Sequence, residues 1–319
     1  MLRAILLYLS KAGWARRLVT GWKFSRRAAA RFVAGDTLEE AVQVVLGLND
    51  QGLLASLDHL GEDVQDLQMA VHATDDYIGL LERLDGSGCR SYASLKLSQL
   101  GLKVDYELCL GNLRCIARRA ADLGTFVRID MEDSPTVDQT VQAFRTLRDE
   151  GLTNLGLVFQ SYLFRSGADQ AAALGLGARI RLVKGAYREP PEVAFRRKAE
   201  ADANFDQMTA ALLAHVCNAP DGAGSSDGRF PPIAALGTHD ERRIQFACQR
   251  AEELGLPKSQ LEFQMLYGIR GDLQQSLARE GYPVRVYVPY GVQWYPYFVR
   301  RLAERPANLW FFLSNLFRR

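Results

Sequence analysis

Phe126-Val127-Arg128-Ile129-Asp130-Met131-Glu132 alternates strictly, with Arg128, Asp130 and Glu132 at one set of positions and Val127, Ile129 and Met131 at the other. Successive residues of a strand point to opposite faces, so this stretch predicts a strand with one apolar and one charged face. A strand in a doubly wound sheet is covered by helices on both faces and reads as a near-continuous apolar run. Two further stretches repeat the alternation. Tyr92, Ser94, Lys96 and Ser98 oppose Ala93, Leu95 and Leu97, while Arg285 and Tyr287 oppose Val284, Val286 and Val288. Buried polar groups need partners or a ligand. Three strands that each send charge inward therefore point to a closed barrel with a polar ligand at its mouth.

Working outward, eight β-type runs follow one another: Leu53–Leu60, Tyr92–Leu100, Phe126–Glu132, Leu155–Tyr162, Ile180–Tyr187, Ile233–His239, Leu261–Gly268 and Val284–Gly291. Each gap has room for a helix, as at Asp138–Glu150, Phe195–His215 and Glu241–Glu253. Strand then helix, eight times over, is the pattern of an α/β protein of the (β/α)8, TIM-like barrel class. A doubly wound sheet is the competing arrangement. N-terminal helices precede the barrel, and a final helix is expected over its C-terminal mouth. Thr37 with Glu40 forms a potential capping box for a helix over Thr37–Leu48. Asn218–Phe230, rich in Gly, Ser, Asp and Pro, reads as an exposed loop. Two units result: a basic helical arm over 1–36 and the barrel over 37–319.

Of the 319 residues, 48% are hydrophobic and 24% charged, an ordinary balance for a globular chain. The net charge of +2 is unevenly spread, since residues 1–32 hold eight Lys or Arg and no acid. This arm fits an amphipathic basic helix better than a secretory signal, which needs a clean apolar core and a cleavage site. No apolar run is long enough to span a bilayer. Five cysteines without a CxxC pair, and four scattered histidines, give neither a disulfide framework nor a metal site, and suit a reducing compartment. Nucleic acid is not an expected partner, because no extended basic, aromatic-rich face is evident.

Several residues have more than one reading. In the helix over Trp294–Glu304, Tyr297, Arg300, Arg301 and Glu304 fall within two turns. The arginine pair suits a carboxylate or phosphate, or is simply a solvated basic face. Arg181 and Lys184, ahead of Gly185-Ala186-Tyr187, suit an anionic ligand, or Arg181 pairs with Asp130 or Glu132. Lys96 is an anion ligand, a Schiff-base lysine of an aldolase, or the partner of an acid. His239, in Gly237-Thr238-His239-Asp240, is a ligand donor or a structural residue, and Glu262 and Gln264 are network residues. No GxGxxG and no P-loop is present, so a dinucleotide would not be held in the Rossmann manner.

Five motifs in order carry a resemblance: Leu95-Lys96-Leu97-Ser98, Arg181-Leu182-Val183-Lys184-Gly185-Ala186-Tyr187, Thr238-His239-Asp240, Phe263-Gln264-Met265-Leu266-Tyr267-Gly268 and Arg300-Arg301-Leu302-Ala303-Glu304. Together they resemble the monofunctional bacterial proline dehydrogenases, over roughly residues 33–310. The resemblance implies an FAD enzyme that oxidises L-proline to Δ1-pyrroline-5-carboxylate and passes electrons to a membrane quinone. It assigns Asp130 and Arg181 to the catalytic centre. Lys96, Arg300 and Arg301 would hold the carboxylate, with Tyr187, Leu266, Tyr287 and Tyr297 walling the ring. Met131, Gln160, Arg181, Lys184, Gly185, Ala186, Thr238 and His239 match flavin contacts. Glu62, Arg300 and Glu304 would form a gate. A cytoplasmic location follows, with peripheral inner-membrane contact through residues 1–32, and with pyrroline-5-carboxylate dehydrogenase as an expected partner. The arm and the Asn218–Phe230 loop depart from the family pattern, and the loop leaves the contacts to the adenine side of the flavin open. An aldolase using Lys96 and a non-catalytic flavin-binding barrel are the alternatives.

Overall fold

Strand β1 (Leu54–His59) pairs in parallel with β2 (Ser91–Lys96) on one side and with β8 (Val284–Tyr290) on the other. Between them run β3 (Val127–Asp130), β4 (Leu155–Gln160), β5 (Arg179–Val183), β6 (Ala234–Gly237) and β7 (Leu261–Leu266), and the order β1 to β8 closes a barrel. This computed structural model describes residues 29–61, 64–219 and 222–304, with the side chains at 300 and 302–304 outside that description. The doubly wound alternative is thereby excluded.

Helices α1 (Leu38–Asp50), α2 (Leu67–Asp85), α3 (Tyr106–Asp122), α4 (Val137–Asp149), α5 (Ser166–Gly175), α6 (Lys198–Cys217), α7 (Glu241–Glu253) and α8 (Gly271–Arg279) surround the strands, and α9 (Trp294–Glu304) follows β8. Thr37 caps α1 in a full capping box with Glu40. Leu57, Leu95, Ile129, Leu157, Leu182, Leu236, Phe263 and Val286 are fully buried in the layer between strands and helices. Burying each such side chain is worth about 1.5–3 kcal/mol against leaving it exposed.

The polar sets face inward and form a floor at the N-terminal ends of the strands. Arg285 donates from Nε and Nη2 to the two oxygens of Glu262, at 2.9 and 3.0 Å, and both residues are fully buried. Arg128 donates to the carbonyls of Leu157 (3.1 Å) and Arg179, with its guanidinium 4.9 Å from the Phe126 ring centroid. Burial pushes the Arg128 pKa down to about 10.

Two expectations need correction. The strands end earlier than the alternation suggests. Ser98 lies in a 3-10 turn, Leu97–Leu100, and Glu132 lies past the end of β3. Their alternation survives because the Glu132 carboxylate accepts from the Ser98 amide (2.9 Å) and hydroxyl (2.6 Å), not because they extend the sheet. The Asn218–Phe230 loop is also more than an exposed connection. The carbonyl of its Gly228 accepts from Arg285 at 3.0 Å, Arg229 pairs with Asp85 at 2.7 Å, and Phe230 packs 5.8 Å from Phe126. The loop enters β6 at the floor, so it lies at the opposite end of the barrel from the mouth.

All five cysteines are free. Cys89 and Cys109 are buried, but Cys115 and Cys217 are exposed and fill no core. Among the described residues no helix is long and apolar enough to cross a membrane, and no cluster of His, Cys, Asp and Glu could hold a metal.

Candidate active site

The βα loops at the C-terminal ends of the strands surround a cavity of about 580 Å3, a size that suits a small molecule or part of a cofactor. Helix α9 covers one side. Its Trp294 and Phe298 pack with Phe32, Val33, Leu60 and Ile269. Backbone bonds from Ala34 to Pro289 and from Gly291 to Gly35, both 2.9 Å, tie the chain before α1 to the same rim.

Strand β2 brings Lys96 into the cavity, where Nζ lies 3.1 and 3.0 Å from the two Asp58 oxygens and 3.8 Å from Asp130 Oδ2. Strand β3 brings Asp130 opposite Lys96 in register. Its carboxylate accepts from Arg181 Nη1 (2.7 Å), Ser94 Oγ (3.0 Å) and the Tyr287 hydroxyl (2.7 Å). Arg181 is therefore a partner of Asp130, one of the two readings its sequence allowed, and it also lines the cavity. Its Nη2 is buried and has no hydrogen-bond partner among the described residues. On α9, the Arg301 guanidinium stacks over the Tyr297 ring at 5.0 Å and Arg301 is only 8% exposed, so it is not a solvated surface cation.

The electrostatics follow from burial and from these pairs. Burial raises the Asp58 pKa and nearby Asp130 adds to it, with Lys96 opposing. Tyr287 is pushed well above the usual phenol range, first by burial and then by Asp130 and Asp58. For Arg181, burial disfavours the charge, but Asp130, Tyr92 and Tyr287 outweigh it and its pKa is raised. Tyr287 thus stays protonated at any working pH and acts as a donor to Asp130. Tyr287→Phe is expected to leave the alkaline limb of an activity–pH profile in place. Loss of that limb in the variant would overturn the assignment.

Lys96, Asp130, Met131, Gln160, Arg181, Lys184, Gly185, Ala186, Tyr187, Thr238, His239, Leu266, Tyr287, Tyr297 and Arg301 all line this one cavity. Glu62 lies outside the described residues, and the side chains of Arg300 and Glu304 do as well, so no gate geometry is described. Three placements differ from a simple ligand contact. Lys184 donates to Asp240 at 2.6 Å and pairs with Asp202 at 2.6 Å, so two acids already flank its ammonium. His239 Nε2 accepts from the Leu266 amide at 3.0 Å, which leaves Nδ1 to carry the proton of a neutral ring. Gln160 donates to the Glu132 carbonyl at 2.8 Å.

Sequence reasoning missed Asp58, a wall of the cavity and the closest acid to Lys96. The same period-2 test exposes it, because Ser56 and Asp58 alternate with Ala55 and Leu57 in β1. Lys198 and Asp240 were also missed as lining residues. Lys198 reaches the rim from the start of α6, where no strand pattern marks it.

Fold and site together define a barrel enzyme with a cationic, tyrosine-walled mouth. Residues 41–312 match the proline dehydrogenase family. The chain is 42% identical over 292 residues to the proline dehydrogenase of Deinococcus radiodurans, covering 90% of this chain and 89% of that protein. It is 39% identical over 319 residues to proline dehydrogenase 1 of Bacillus subtilis, covering all of both. Among solved structures it is similar to proline utilization A from Bdellovibrio bacteriovorus inactivated by N-propargylglycine. That match has a TM-score of 0.78 and 25% identity, and covers 88% of this chain and 33% of that longer one. The chain belongs to the proline dehydrogenase family and is an oxidoreductase of proline catabolism.

Proposed function

We propose that the chain binds FAD at the barrel mouth, oxidises L-proline to Δ1-pyrroline-5-carboxylate and passes the electrons to a membrane quinone. One observation carries this reading: Lys96 and Arg301, two cations from different elements, line one cavity with Tyr187, Tyr287 and Tyr297. An amino acid with an apolar ring and a carboxylate fits that chemistry. The flavin fits as well. Arg181, Lys184 and Lys198 bring cations to the same cavity, which suits the phosphates and the anionic reduced ring of that cofactor. Gly185, at φ +118° with the Tyr162 ring where a Cβ would be, lets the chain turn tightly at the cavity rim.

In this reading Lys96 and Arg301, with Arg300, hold the substrate carboxylate. Tyr187, Leu266, Tyr287 and Tyr297 hold its ring and exclude water, which strengthens the charge contacts. Asp130 orients Arg181, Tyr287 and Lys96 at once. Met131, Gln160, Lys184, Gly185, Ala186, Thr238 and His239 would hold the flavin beside Arg181. When bound, FAD supplies a hydride acceptor, N5, for the carbon next to the ring nitrogen. Glu62, Arg300 and Glu304 are proposed as the gate. An aldolase is disfavoured, because two carboxylates within 4 Å of Lys96 favour its ammonium form, whereas a Schiff-base lysine needs a neutral amine.

Residues 1–32, the cationic part of the arm, are proposed to rest on anionic lipid at the inner membrane, beside a cytoplasmic barrel over 37–319. Pyrroline-5-carboxylate dehydrogenase is its proposed partner. Removing residues 1–30 is expected to abolish binding to anionic liposomes, and undiminished binding would refute the lipid contact. The catalytic reading has its own test. Purified protein should be yellow and should be inactivated by N-propargylglycine, with L-proline protecting. A colourless protein trapped by borohydride with a carbonyl substrate would indicate an aldolase. A yellow protein indifferent to both amino acids would indicate a scaffold.

A further inference from the structure

The site leaves one question of geometry open: what fixes the plane of Arg181. Asp130 and Ser94 accept from its Nη1, at 2.7 and 3.3 Å. Its Nε donates to Gln264 Oε1. Two edges of the guanidinium fork are thereby occupied, and Nη2 is enclosed by the protein itself. The second constraint is only as firm as the orientation of the Gln264 amide. An amide can turn over and exchange its oxygen for its nitrogen.

The barrel floor prevents that turn. Gln264 Nε2 donates to Glu262 Oε1 at 2.5 Å and to the Tyr92 hydroxyl at 3.1 Å. Glu262 is a fully buried carboxylate that can only accept, and Arg285 grips both its oxygens. Arg285 is itself fixed by the carbonyls of Ala55 (2.7 Å) and Gly228 (3.0 Å). A reversed amide would face the Glu262 carboxylate with an oxygen and face Arg181 Nε with a second donor. Both contacts would become repulsive between buried groups, where such a mismatch costs most. Glu262 and Arg285 lie at the floor, and Arg181 lines the mouth. Gln264 bonds to both, to Glu262 below and to Arg181 above, with the Tyr92 hydroxyl beside it.

We infer that Gln264 is a positioning residue: the Glu262–Arg285 pair of the barrel floor locks its amide, and the locked amide sets the plane of Arg181 at the wall of the cavity. The inference rests on the flavin-dependent reading of the mouth. A floor pair that served only stability would leave the chemistry at the mouth unchanged when Gln264 is replaced.

Two substitutions separate these possibilities. Gln264→Leu removes the acceptor for Arg181 and the donor to Glu262. Gln264→Glu preserves both while its new carboxyl is protonated, since the acid hydroxyl donates to Glu262 and the carbonyl oxygen accepts from Arg181. Once ionised, it loses the donor and faces a second carboxylate. Flavin reduction by L-proline should therefore slow roughly tenfold or more in Gln264→Leu at every pH, with the proline KM changed less than about threefold. In Gln264→Glu the rate should match the parent at low pH and fall by a similar factor through a titration the parent lacks. The midpoint potential of the bound flavin should move in Gln264→Leu, and in Gln264→Glu across the same titration. Parent-like rates and potentials accompanied only by a lower Tm would overturn the inference. If Gln264→Leu does not fold, absence of the new titration in Gln264→Glu overturns it alone. Should L-proline fail to reduce the flavin of the parent protein, the functional reading fails, while the potential shift still decides whether Gln264 reaches the flavin environment through Arg181.

Discussion

Arg301→Ala is expected to raise the KM for L-proline roughly 30- to 1,000-fold, with little change in the visible spectrum of bound flavin. Arg301 is almost completely buried and its guanidinium lies over Tyr297. Truncating one member of a buried charge pair costs about 2–4 kcal/mol, which is the source of that range. The loss should fall on KM because a carboxylate anchor acts on the ground state and the transition state alike. Arg301→Lys should recover part of it, since lysine restores charge without the planar fork or the stacking on Tyr297. Steady-state kinetics with both variants checks this, and an unchanged KM in Arg301→Ala removes the carboxylate assignment.

Asp130→Asn has the opposite signature. The Asp130 carboxylate is the shared acceptor of Arg181, Ser94 and Tyr287, and it lies 3.8 Å from Lys96. An amide keeps the shape but offers one acceptor oxygen and adds a donor beside two cations. Both Arg181 and Lys96 would then shift, and small displacements at a reacting centre cost on the order of 100-fold in rate. The limiting rate of flavin reduction should fall by about that factor, with a smaller change in KM. Rapid-mixing measurements under anaerobic conditions separate the two parameters. A full-rate Asp130→Asn enzyme would mean that the Asp130–Arg181 pair only fills the barrel.

The barrel was legible because its strands carry charge inward. Alternation of Arg128 and Asp130 with Val127 and Ile129 distinguishes an enclosed polar interior from a sheet covered on both faces. The same signal overran the strand ends. Ser98 and Glu132 keep the period of two, yet they bond to each other beyond the last strand pairs. Asp58 escaped notice because Leu53-Leu54-Ala55-Ser56-Leu57-Asp58 is mostly apolar, and one inward carboxylate makes a weak pattern. Pairings across the barrel are invisible along the chain. Nothing in the fifth strand announces that Lys184 will sit between Asp202 and Asp240, or that Arg181 will be held by Gln264. The Asn218–Phe230 loop was legible as a break but not as a plug, since its role depends on where Arg285 and Phe126 lie in space.

Anaerobic titration of the purified protein with L-proline tests the central claim most directly. The expected result is a yellow protein whose flavin absorbance bleaches on addition of L-proline, with the cyclic imine product appearing in proportion to the flavin reduced. A flavin-bearing protein that stays fully oxidised in excess L-proline, and forms no imine, would contradict it.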